Sequence, residues 1–130
     1  MSDESQDVIE RFWKAMNTND FRSVGRLLHD DFLLEWPQSG ERIRGAENYA
    51  AMNERYPAAG VWRFTINRIV SDGSRGVSDV TVTDGELVDR SVAFFEVRGG
   101  RIWRMVEYWP APFAPADWRR RLVEAPATTP

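Results

Sequence analysis

The chain has 130 residues, 42% hydrophobic and 28% charged, which suits a single soluble globular domain with a real core. Its net charge of −3 argues against nucleic acid or an anionic membrane as partner, because phosphate surfaces demand concentrated positive charge. Cys is absent and His29 is the sole histidine, so no disulfide framework, thiolate nucleophile or multi-histidine metal site is expected.

At the N-terminus, MSDESQDVIERFW is acidic and lacks the apolar segment of a secretory signal. No apolar run approaches the ~20 residues that span a bilayer, and a cytoplasmic protein is expected. Val8, Ile9, Phe12, Trp13 and Met16 recur at steps of three and four, which predicts a helix with one apolar face. NTND, residues 17–20, breaks that pattern and opens a second short helix buried through Val24, Leu27 and Leu28. His29 then falls in the last turn of this helix, with Asp30 and Asp31 as loop acids after it.

Phe32, Leu34 and Trp36 alternate with Leu33 and Glu35 as a strand that Pro37 ends. QSGE reads as a turn, Arg42–Arg44 as a short strand and Ala46 to about Tyr56 as a helix stopped by Pro57. From Trp62 the character changes to strands, Trp62–Val70, Val77–Thr83, Leu87–Arg98 and Ile102–Trp109. The turns SDGSRG, TDGE and RGGR join them into an antiparallel meander. Pro-rich sequence bounds a last short helix near Ala116–Val123, in which Arg119, Arg120 and Arg121 make a solvated face. Residues 1–125 are expected to form one domain and 126–130 a disordered tail. Helices first and strands later predict an α+β domain, three N-terminal helices packed on one face of the sheet.

The segments VIERFWKAMNTNDFRSVGRLLHDDFLLEW, GAENYAAM and FFEVRGGRIWRMVEYW, in this order and spacing, resemble the nuclear transport factor 2-like superfamily. SnoaL-like polyketide cyclases, ketosteroid isomerases and limonene-epoxide hydrolases belong to it. The resemblance implies a curled, cone-like antiparallel sheet closed by the helices, an apolar pocket inside the cone, and a homodimer through the outer sheet face. It does not imply a reaction, since one fold hosts many. Ketosteroid isomerases need a carboxylate base on the first strand, with a tyrosine and a protonated aspartate as oxyanion donors. The matching positions here hold Trp36, Phe12 and Ala93, so that chemistry is excluded. The hydrolase pattern matches at Glu107 but lacks its Arg, and the cyclase pattern lacks its strand histidine.

Within a cone, alternation along the last strand puts Trp103, Met105, Glu107 and Trp109 on the inner face. Glu107 among those side chains would titrate in the range of a general acid or base; the alternative is a structural Glu held by an Arg or an indole N–H. Asp79, mid-strand in GVSDVTV where Asp is disfavoured, is the second catalytic candidate, against a simple outer-face Asp. Trp13, Trp36, Tyr49, Met52, Tyr56, Trp62, Phe95, Trp103, Met105 and Trp109 are candidates for the pocket wall or, failing that, core. The expected partner is an apolar small molecule, with no cofactor and no metal. Two functions stay open: an isomerase, cyclase or hydrolase using Glu107 or Asp79, and a non-catalytic ligand-binding or dimerising module.

Overall fold

Helix α1, Glu4–Met16, buries the predicted stripe completely: Val8, Ile9, Phe12, Trp13 and Met16 are all at or below 3% exposure. In the computed structural model, which describes residues 4–126, α1 lies across the sheet at Gly76. A Cβ there would stand 2.5 Å from the Ile9 Cδ1, so the absence of a side chain lets the helix approach this closely. Trp13 Nε1 donates to Ser78 Oγ at 3.0 Å, which satisfies both buried groups.

A 3-10 helix, Phe21–Leu27, follows, and strand β1 begins at once as Leu28–Trp36. His29 is therefore a strand residue and not the last turn of a helix. Pairing explains the difference: β1 runs parallel to β6, but an advance of five positions on β1 (Leu28 to Leu33) matches an advance of only two on β6 (Ile102 to Arg104). The surplus, His29 to Asp31, bulges outward. His29 Nδ1 accepts the Asp31 backbone N–H at 3.0 Å, and Arg101 pairs with Asp30 at 3.3 Å.

Strand β2, Glu41–Arg44, and helix α2, Ala46–Arg55, precede the meander of β3 (Arg63–Asp72), β4 (Arg75–Thr83), β5 (Val88–Arg98) and β6 (Arg101–Tyr108). The sheet order is β2-β1-β6-β5-β4-β3, so β1 and β2 extend the meander along its β6 edge. The C-terminal segment holds one more 3-10 helix, Asp117–Leu122, with no buried residue. Of the expected tail, residues 127–130 lie outside the described residues.

NTND does more than start a helix. The Asn17 side chain donates to Phe64 O at 2.8 Å and accepts from Phe64 N at 2.7 Å; Asn19 repeats this with Trp62 O and N at 2.8 and 2.9 Å. Two side-chain amides thus tie the segment leading into β3 to the end of α1. Asn19 sits at φ 60°, a left-handed conformation that Asn tolerates better than most residues. Phe12, Phe32, Phe95, Leu34, Ile102 and Met105 fill the closed end of the curved sheet.

Candidate active site

Between the open end of the sheet and helix α2 lies a cavity of about 480 Å³, within the ~300–1,000 Å³ typical of small-molecule sites. Trp13, Met16, Tyr49, Phe64, Val82 and Glu107 form its buried floor, each at 8% exposure or less. Trp36, Met52, Asn53, Trp62 and Trp109 make the walls, and Gln38, Ser39, Glu41, Tyr56 and Asp89 the rim. Gln38 fixes that rim by a reciprocal pair with Trp109, donating to its carbonyl at 3.2 Å and accepting from its N–H at 2.6 Å.

Glu107 is the central polar group. Its neighbours on β5 and β1 follow from register: Ala93 stands directly opposite it, Ser91 one step along the same face, and Trp36 one residue beyond the Glu35–Val106 pair. Trp36 Nε1 donates to Oε1 at 2.9 Å, Ser91 Oγ donates to Oε2 at 2.5 Å, and the Trp109 side chain adds a further hydrogen bond. Burial pushes the Glu107 carboxyl above its ordinary range, while these three donors oppose the shift by favouring the anion. The Tyr49 phenol is raised well above its usual value, first by burial and then by the nearby Glu107 charge, with an opposing hydrogen bond from Asn53. Tyr49 is therefore a neutral hydroxyl at neutral pH, and its O–H donates to Met16 Sδ at 3.8 Å. Among the described residues no group of three His, Cys, Asp or Glu side chains is arranged to hold a metal ion.

Of the predicted wall, Trp13, Trp36, Tyr49, Met52, Tyr56, Trp62 and Trp109 line the cavity. Phe95 and Met105 do not: they face each other across β5 and β6 at the closed end, buried to 2% and 0%. Trp103 is outside altogether. A bulge between β5 and β6 pairs Val97 with Ile102 but Glu96 with Arg104, so Trp103 is the extra residue and the alternation inverts there. Its ring lies between the guanidinium groups of Arg98 and Arg104, at 3.3 and 3.9 Å from the centroid.

Asp79 is likewise on the outer face, where Arg68 and Arg90 bind its carboxylate at 3.2 and 3.0 Å; it is an ion-pair residue away from the cavity. Sequence reasoning passed over Asp89 and Ser91. The alternation that put Phe95 inside also puts Ala93, Ser91 and Asp89 on the same face, and that signal was sufficient to find them.

A model of the SnoaL-like domain matches residues 9–105 of this chain. The chain belongs to the SnoaL-like domain family. Among solved structures, a candidate ketosteroid isomerase from Kribbella flavida is 30% identical, with a TM-score of 0.87 over 96% of this chain and 91% of that one. A protein of unknown function from Burkholderia xenovorans, described as NTF-2 like, is 26% identical, with a TM-score of 0.78 over 95% and 96%. An LEH-like epoxide hydrolase from M. tuberculosis is 29% identical, with a TM-score of 0.67 over 82% and 83%. No curated protein matches the chain. In this SnoaL-like protein Phe12 and Ala93, which the sequence resemblance matched to an isomerase's tyrosine and aspartate, are both fully buried and apolar. Its cavity acid stands one strand over, at Glu107, opposite Ala93. Among the described residues no helix is long and apolar enough to cross a membrane.

Proposed function

We propose that this protein is a proton-transfer enzyme of the isomerase, cyclase or hydrolase type, acting on a largely apolar small molecule held in the cone. The observation that carries this reading is Glu107, a carboxylate 3% exposed at the floor of an aromatic cavity and raised in pKa by that burial. Glu107 takes a proton from the bound molecule, or from a water beside it, and returns it at a second position. The Tyr49 hydroxyl donates a hydrogen bond to the oxygen on which negative charge develops. The apolar walls seat the substrate and exclude bulk water. A homodimer through the outer sheet face accompanies this reading, supported by Phe94 and Tyr108, 47% and 38% exposed, with rings in edge-on contact at 6.2 Å. A chain free of cysteine suits the cytoplasm.

One observation favours a second reading, a non-catalytic ligand carrier: both Glu107 oxygens already accept hydrogen bonds. Glu107→Gln separates the two. Assayed against a panel of apolar carbonyl compounds and epoxides, the variant is expected to lose turnover by about 10²–10⁴-fold while still quenching tryptophan fluorescence on ligand binding. Undiminished turnover removes Glu107 from the mechanism. Binding without turnover in the unaltered protein across the panel favours the carrier.

A further inference from the structure

The cavity wall has an unusual charge balance. Three carboxylates line it, Glu41, Asp89 and Glu107, and none of the chain's 17 Lys and Arg residues does. Of the acids elsewhere among the described residues, Asp7, Asp30, Glu54, Asp79 and Asp117 pair with an arginine and the rest do not, so what sets the cavity apart is a lining with acids and no base. Among the described residues neither Glu41 nor Asp89 takes part in an ion pair.

The sheet order fixes how these groups are arranged. Glu41 begins β2 opposite Trp36, the last residue of β1; Asp89 lies at the start of β5, two strands further on. Between them come the ends of β1 and β6, which carry Trp36, Glu107 and Trp109. The two rim acids are three strand spacings apart, roughly 14 Å along the sheet at ~4.8 Å per step. That distance is too great for both to ligate one metal ion. It leaves two tryptophans flanked by negative charge on both sides, with Tyr56 and Trp62 in edge contact at 5.8 Å on the facing wall. An aromatic lining with carboxylates at the rim and no Lys or Arg favours a diffuse organic cation. They repel carboxylate, sulfate or phosphate groups.

We infer that the ligand of this pocket carries a cationic amine or quaternary ammonium group at the rim, its apolar body extending to the floor at Trp13 and Phe64. This rests on the cone being the ligand site, as proposed above.

The test uses three probes of one shape and different charge: benzyltrimethylammonium, its neutral isostere neopentylbenzene, and benzylsulfonate. Binding to the full chain is read by quenching of the pocket tryptophans. The ammonium probe is expected to bind at least tenfold more tightly than the neutral one, and the sulfonate more weakly than either. In the Glu41→Gln, Asp89→Asn double variant the ammonium preference should fall toward one. Neutral-probe affinity should hold in that variant, which shows that the pocket is still folded. Equal or tighter binding of the neutral probe, or a preference that survives the double variant, overturns the charge inference and leaves the apolar pocket standing. Binding of none of the three overturns both.

Discussion

Glu107 carries opposing influences that make its pH behaviour specific. Its folded-state pKa is raised, so the folded protein holds this proton more tightly than the unfolded chain, whose carboxyl titrates near ~4.3. The sign follows from linkage: below ~4.3 both states are protonated and burial of this group costs nothing through ionisation. As pH rises from there through the raised folded value, the folded state loses stability, and the loss is complete above it. Subtracting the melting-temperature-versus-pH curve of Glu107→Gln from that of the unaltered protein should give a difference that declines over this window and is flat on either side. A difference that rises with pH would mean that Trp36, Ser91 and Trp109 outweigh burial and hold the carboxyl below its ordinary value. Asp84 behaves in the opposite sense. It accepts backbone N–H bonds from Ala59, Leu87 and Glu86, which depress its pKa, so its stabilisation is present above ~3.9 and lost as pH falls through the folded value.

At the scale of single elements, the β5–β6 bulge decides which tryptophan belongs to the site. Trp109 follows the bulge and faces the cavity; Trp103 is the bulged residue and faces solvent between two arginines. Trp103→Ala should therefore leave ligand affinity within about twofold while costing ~0.5–1 kcal/mol per lost cation–π contact, measured by urea unfolding. Trp109→Ala should weaken binding and disturb the Glu107 titration; equal effects of the two variants on binding would contradict this assignment. The same bulge marks where the sequence stops being informative. Alternation inside one strand is local, and it correctly put Glu107 and Trp109 on the inner face. A bulge exists only relative to a partner strand, and nothing within RGGRIWRM announces it. His29 failed for the same reason, since its departure from a helix end arises from the mismatch of β1 against β6. Helix α1, with a five-residue stripe at helical spacing, was legible throughout. So were the hairpin turns, where Gly99 and Gly100 at φ 57° and 75° supply the left-handed backbone of RGGR.

For the whole molecule, the curved sheet leaves two aromatic surfaces, the concave one filled by helices and cavity, the convex one open. Phe94 and Tyr108 at the centre of the convex face, with half-buried Val92 and Val106 beside them, are the core of the proposed homodimer. Light scattering on a sizing column should give twice the 15.0 kDa chain mass, and Phe94→Asp should return a monomer with unchanged far-ultraviolet dichroism. A monomer for the unaltered chain at micromolar concentration would remove the dimer from the reading.

The two asparagines of the NTND segment bear on a different association. An antiparallel strand at the end of a sheet exposes alternate N–H and C=O pairs as a template on which any extended chain can add itself. In β3 and the residues leading into it, the outward-pointing pairs of Trp62 and Phe64 are already occupied by the Asn19 and Asn17 amides, two rungs of a seventh strand supplied by side chains. The lip of the cavity is therefore closed to strand addition. An extended peptide would have to displace both amides before it could pair with the end of the edge that borders the cavity.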